Sequence, residues 1–533
     1  MRVLSEHKVT LLFISYVLAS FLSVGSGAPG ILKAFLALPG LVLFPLLFGA
    51  ALLSWKAILR SDKAGQRLPT FGKLEGWLFS WFVGFLSIFV IMFLWLLHTQ
   101  GVWEAVGVLL VVCFFGALRL DRENDWPSSV SKRNLALLSL LVVIGLIPIA
   151  IIAWGTFPLP SSRAYTVTGH LYPFVNNVAT YGIPDTPYDV THPPSLNILY
   201  GLVSRMFSLD PLALLWAVPF LLVPTLSVGM FLLAKEFSKR LDVAFAASIL
   251  GVWLFAATNA ADYPVAAEAP YVLYALCPYV YLLFHRLARN HEAKMWQVIL
   301  SLAINLTFVL AIGFLVTLWP DQTAFSPFVI WYQIILLGCL VVSQTTSAID
   351  SVLSIPFAAG FVFVSIEARY TGLAMLTCGT FYFILYKLEL SRRTSPRTTK
   401  SVELVIVASL LACLFTQVLE AGGYGVGNGI SSILGLGTYA NVTLTVKWGF
   451  LLAGVGPVAL VLLLLGGLYL LFERSSTNLA VLGTLGVLVM IYFLPIGATY
   501  RAMDLMAPLC VYVIAFASMR IVRSLRSDQV AAE

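Results

Sequence analysis

The sequence predicts an all-α, polytopic membrane bundle of about sixteen transmembrane helices, with one further helix lying in the outer interface. Three observations carry this. Hydrophobic residues make up 60% of the 533 positions and charged residues only 11%, whereas soluble domains carry about 25% charged residues. Apolar runs of the length a hydrocarbon core requires, roughly 17–25 residues, recur along the chain. The basic residues collect on alternate connectors, as orientation in a membrane demands. Those connectors account for the net charge of +7, so it gives no reason to expect a nucleic-acid partner.

In chain order, apolar runs predict spans at 9–27, 31–53, 77–97, 105–118, 135–154, 211–234, 242–258, 269–284, 296–318, 328–345, 351–366, 371–386, 401–418, 449–471, 479–494 and 505–519. Arg2 and Lys8 flank the first run as in a signal peptide, but a second run follows at once, so it reads as a retained span. The first four spans form an N-terminal module, 1–134. A polar connector (RLDRENDWPSSVSKRN) leads from there to the main core, 135–533. With the N-terminus cytoplasmic, 26 of the 32 basic residues fall inside, leaving Lys33, Arg163, Arg205, Arg369, Lys447 and Arg501 outside. Both termini are then cytoplasmic and the chain sits in a plasma membrane. The six cysteines all lie within apolar runs and read as small buried hydrophobes, with neither a disulfide framework nor zinc spacing.

The segment 155–210 departs most from this pattern. It is polar, and Pro184, Pro187, Pro193 and Pro194 shape it by fixing φ and removing backbone donors. The charge pattern places it on the outer face. Its stretch 196–207 is apolar but too short to cross, which predicts a helix in the outer interface.

Sparse polar groups supply the candidate chemistry. A guanidinium presents a planar donor fork that suits phosphate, so Arg369 (in IEARYTG) and Arg501 (in ATYRAMD) are candidate phosphate contacts. The alternative is a snorkelling arginine, or an ion pair with Glu367 or Asp504. A general base must be ionised and within reach of its proton. Asp189, Asp262 and Glu268 are the catalytic candidates, although Asp185 and Asp189 flank a turn (IPDTPYDV) that an aspartate also caps well. Tyr188 lies between those aspartates as a substrate contact. His170 and His192 are candidate hydrogen-bond partners of a substrate phosphate. With Asp185 or Asp189 they also offer ligand types for a divalent cation, though at no dedicated zinc spacing.

The succession of a span, GHLYPFVNNVATYGIP, YDVTHPPSLNILYGLVSRMF and a span ending in AKEFSKR resembles the GT-C superfamily of integral-membrane glycosyltransferases, in particular its prokaryotic polyprenyl-phosphate-sugar-dependent group. The likeness spans about 150–240. It is weaker at EARYTGLAML and TYRAMDLMAPL and does not include the first four spans. It implies a GT-C-like core whose outer loop forms juxtamembrane helices over an outer-facing cavity. It implies a polyprenyl-phosphate-sugar donor in the lipid bilayer, and a glycan, lipid or protein acceptor on the same side. Members of the group carry acidic residues just before the GH pair, where this chain has Thr166 and Thr168. A threonine hydroxyl is no base at neutral pH. The base then comes from Asp189, Asp262 or Glu268, or the chain is a non-catalytic relative that binds lipid-linked sugar. A lipid or solute transporter is a third reading; it would need ionisable groups within spans.

Overall fold

A computed structural model describes residues 7–59, 101–122, 132–154, 172–182, 195–259, 269–290, 456–473, 475–493 and 502–532, with helical turns within 77–96 and the two residues Tyr382 and Tyr386. The described elements are helices: α1 (Lys8–Gly25), α2 (Gly30–Leu59), α3 (Val102–Arg122), α4 (Lys132–Trp154), α5 (Tyr172–Tyr181), α6 (Ser195–Met206), α7 (Pro211–Ala217), α8 (Pro219–Ser238), α9 (Leu241–Asn259), α10 (Ala269–Asn290), α11 (Pro457–Glu473), α12 (Ser476–Phe493) and α13 (Ala502–Ala532). Among the described residues, five stretches are long and apolar enough to cross a membrane: Lys8–Gly25, Gly30–Leu52, Val102–Arg122, Pro211–Ser238 and Met506–Leu525. Prolines lie inside α2, α4, α8, α10 and α13. Within a bilayer a helix tolerates them, because neighbouring helices supply partners for the freed backbone groups.

Small residues set how closely these helices pack. A side chain at Gly49 would collide with the Ser80 carbonyl, and one at Gly84 with the Pro45 carbonyl. The backbones of α2 and the 77–96 turns therefore touch. Gly116 of α3 meets the Leu47 carbonyl of α2 in the same way. In the second half, a Cβ on Gly145 of α4 would lie 2.5 Å from Pro224 Cα of α8. Apolar helices gain little by hiding from apolar lipid, so close approach and buried hydrogen bonds hold such bundles together. The Ser227 hydroxyl illustrates this: it donates to the Leu141 carbonyl (2.7 Å) and shares a 2.8 Å hydrogen bond with Ser248, joining α4, α8 and α9. At the centre, α8 packs against α4, α9, α10 and α13.

Contacts between helices fix their directions. Asp121, near the end of α3, accepts from Val9 N (2.8 Å), Thr10 N (2.9 Å) and Thr10 Oγ1 (2.6 Å), so α1 starts where α3 ends. Arg119 donates to the Ala50 carbonyl at 2.8 Å, so α2 and α3 run parallel. Phe35, near the start of α2, stacks edge-on with Trp216 and Phe220, which places the starts of α2 and α8 together. Arg523 and Arg240 both reach Asp242, and Arg520 reaches Glu473, which gathers the ends of α8, α11 and α13 with the start of α9. The bundle thus has a basic end, bearing Lys8, Arg119, Arg122, Lys235, Lys239, Arg240, Arg520 and Arg523, and an opposite end, here the loop end, where α5, α6 and α7 sit. The first and last helices both have their chain termini at the basic end. α10 finishes at the basic end and α11 starts at the loop end; the five spans expected between them lie outside the described residues, apart from Tyr382 and Tyr386.

Asp121 makes a measurable contribution here. It caps α1 from a different helix, and losing a cap costs about 1–2 kcal/mol. Asp121→Ala should lower the detergent Tm and speed amide exchange over residues 8–12, with the rest of the chain unchanged. Unaltered exchange there would show that the cap is not what holds α1.

Some elements differ from the sequence expectation. The last helix runs to Ala532 rather than ending at 519, because its charged continuation stays helical beyond the apolar run. The helix expected at 196–207 is present as α6. It packs against α2, α3, α5 and α7, and residues 196–207 are buried except for Arg205, so both of its faces are covered. Its polar side is covered as well as its apolar one, since Asn197 and Ser204 are buried too. Cys113 and Cys277 are buried, as expected, and Cys510 is half-buried.

Candidate functional site

The loop end is built from three short helices. α5 buries Val175, Val178 and Ala179. It comes close to α6 because Gly201 has no side chain: a Cβ there would lie 2.5 Å from Val178 Cγ1. Gly182 ends α5 at φ +82, with its N–H donating to the Asn177 and Val178 carbonyls. That left-handed position is one glycine adopts without strain. α6 ends at Ser208 (φ +43), where Leu209 N reaches back to the Ser204 carbonyl at 2.9 Å. Asp210 then caps α7 by accepting from Leu212 N at 2.9 Å, with Pro211 at the first helical position. Phe207 meets Tyr16 of α1, with ring centroids 6.0 Å apart. These turns fold the end of the proline-rich segment tightly onto the bundle.

Among the described residues, Tyr172 and Arg205 stand out electrostatically at this end. Burial, helped by the nearby Asp210 carboxylate, pushes the Tyr172 phenol above its ordinary range. It is therefore a neutral hydroxyl at physiological pH. Arg205, on the last turn of α6, lies over the Trp103 ring of α3 at 5.1 Å.

The residues singled out from the sequence as catalytic (Asp189, Asp262 and Glu268) or substrate-binding (His170, His192, Arg369, Arg501 and Tyr188) all lie outside the described residues. Their chain neighbours are described, and these are informative. His170 is two residues before α5. Tyr188 and Asp189 stand between α5 and α6, and His192 is three residues before α6. Asp262 follows the end of α9 by three residues. Glu268 and Arg501 immediately precede α10 and α13. Every one of these helix ends belongs to the loop end of the bundle. Arg369 has no described neighbour close in sequence.

At the basic end the structure reveals a cluster that the sequence reading did not single out. His285 is buried on α10 and shares a 2.8 Å hydrogen bond with the Tyr382 hydroxyl. Its Nε2 lies 4.0 Å from Glu236 Oε1 on α8. Phe237 stacks on Tyr382 (5.7 Å) and meets Tyr512 edge-on (5.3 Å). Tyr512 in turn donates to Asn478 at 3.4 Å. The one sequence signal was a histidine directly after an apolar run, YVYLLFH; the expected span stopped one residue short of it. The chemistry available is a half-buried carboxylate, a buried imidazole and a buried phenol in series, which ties α8, α10, α12 and α13 together through polar contacts rather than packing alone. Among the described residues, no group of three or more His, Cys, Asp or Glu could hold a metal ion.

No family model, curated protein or solved structure matches the chain. Helix content, apolar length and alternating direction define it as an all-helical, multi-pass membrane protein.

Proposed function

We propose that the chain is a membrane glycosyltransferase that moves a sugar from a polyprenyl-phosphate carrier to an acceptor on the extracytoplasmic face of a plasma membrane. One observation carries this reading: the helix ends that adjoin His170, Asp189, His192, Asp262, Glu268 and Arg501 all lie at one end of the bundle, opposite the basic end. With basic residues cytoplasmic, that end faces outward. The resemblance of 150–240 to the GT-C superfamily adds the substrate class.

In the proposed reaction the bond between the anomeric carbon and the carrier phosphate breaks, and a bond from that carbon to the acceptor oxygen forms. The acceptor proton passes to a carboxylate, with Asp189, Asp262 and Glu268 as candidates, and polyprenyl phosphate leaves. Arg369 and Arg501 neutralise the charge that grows on the leaving phosphate, the contribution that most lowers such a barrier. His170, His192 and Tyr188 hydrogen-bond the donor. A divalent cation, if used, would share the phosphate charge.

Deleting the gene tests this directly. Mass spectrometry of the membrane lipids should show a polyprenyl-phosphate sugar accumulating and one envelope glycan lost; an unchanged lipid-linked pool and glycan profile would refute the reading. Thr166 and Thr168, which stand where the resemblance implies carboxylates, favour a second reading as a non-catalytic lipid-sugar binder. Purified protein that binds polyprenyl phosphate without ever releasing sugar would select it.

A further inference from the structure

Arg205 is an unusual charge in a chain this apolar. Its Nε is buried and finds no hydrogen-bond partner among the described residues, and its guanidinium stacks over Trp103. Two carboxylates lie near it in the chain or beside Trp103, and both are otherwise placed. Asp210 caps α7, and the Glu104 side chain folds back over Gly101. The side chain is half-buried rather than enclosed, so an anion can reach the guanidinium and supply the partner that the described residues do not.

The surface below Trp103 shows what kind of anion. Trp103, Gly107, Val111 and Phe115 follow one another at four-residue spacing on α3 and share a face. Trp103 is 43% exposed, Val111 56% and Phe115 59%. Gly107 is exposed too, and a side chain there would meet nothing within 4 Å. The face is therefore an open apolar stripe with a notch, running down a membrane-length helix from the guanidinium. Tryptophan and arginine at the end of a span sit at headgroup level, and the start of a helix also favours negative charge.

We propose that Arg205 and Trp103 form a binding site for a phosphate-bearing membrane lipid, with the phosphate on the guanidinium and the hydrocarbon chain along Gly107, Val111 and Phe115. The planar donor fork grips two phosphate oxygens and the ring holds the fork flat. The site requires only that the chain spans a membrane. Sugar transfer can fail while the site stands, because binding is read without turnover.

Native mass spectrometry of the full-length protein in detergent is the test, titrating three probes: polyprenyl phosphate, the matching polyprenol without phosphate, and phosphatidylglycerol. Wild type should retain phosphate-bearing lipid over polyprenol. Arg205→Gln should weaken that retention about tenfold or more, the loss expected for a charge-assisted hydrogen bond, and leave polyprenol unchanged. Arg205→Lys, which keeps the charge and most of the packing, should still lose several-fold, so the test survives a Gln variant that fails to fold. Selective loss of polyprenyl phosphate or of phosphatidylglycerol would support the site and name its source. Equal binding of both phosphate lipids by wild type, the Gln variant and the Lys variant would overturn the proposal.

Discussion

Arg369→Ala should lower sugar transfer from a polyprenyl-phosphate donor by roughly a hundredfold to a thousandfold, the range seen when a charge-stabilising donor is removed from a transition state. Lys447→Ala should leave transfer close to wild type. Both residues belong to the small set of basic positions expected outside, so the pair separates a phosphate contact from a general effect of outer charge. Arg369→Lys should fall between, because an ammonium keeps the charge but cannot hold two oxygens in one plane. The readout is release of polyprenyl phosphate from proteoliposomes loaded with a lipid-linked sugar. Equal activity in the two alanine variants would remove Arg369 from the site.

Gly84→Leu should prevent stable accumulation of the protein. The Cβ alone would collide with the Pro45 carbonyl, and the reciprocal contact of Gly49 with the Ser80 carbonyl leaves no room for either helix to shift. Overpacking typically costs 1–3 kcal/mol, and more where backbone rather than side chain must give way. Losses of even about 1–2 kcal/mol change cellular abundance several-fold. Gly486→Leu is the control: that glycine is exposed on α12 and a Cβ there meets nothing within 4 Å. Expression followed by size-exclusion chromatography in detergent checks both. A monodisperse Gly84→Leu protein at wild-type yield would mean that α2 and the 77–96 turns need not touch.

What could be read from the sequence was set by length and polarity. The apolar runs at 9–27, 31–53, 105–118, 135–154, 242–258 and 479–494 coincide with α1, α2, α3, α4, α9 and α12, because a bilayer demands a fixed thickness of hydrocarbon and helix rise converts it to a residue count. The helix at 195–206 was also legible, as an apolar stretch too short to cross. Its surroundings were not, since nothing local says that α2, α3, α5 and α7 pack against it. Long-range partners were illegible for the same reason. Asp121 caps a helix more than a hundred residues away, and the pairing of Gly49 with Ser80 depends on how two helices cross. His285 went unnoticed because hydropathy ends a span at the first polar residue, whereas a buried hydrogen bond lets the helix carry that residue inside. For the candidate site, the sequence named residue types, and the described helix ends add that most of them adjoin one end of the bundle. Arg205 read from the sequence as one outer basic residue among six; its place over Trp103 emerged only from the packing of α6 on α3.

The central claim is that the segment 155–210 faces away from the cytosol. Cysteine accessibility in intact cells tests it most directly. Cys113 and Cys277 are buried and Cys510 is half-buried, so after their background is subtracted with the parent protein, Ser161→Cys and Ser128→Cys can each be probed with a membrane-impermeant maleimide. The account predicts that Ser161→Cys is labelled in intact cells, whereas Ser128→Cys is labelled only after the membrane is opened. Labelling in the reverse order would put the proline-rich segment in the cytosol and contradict the account.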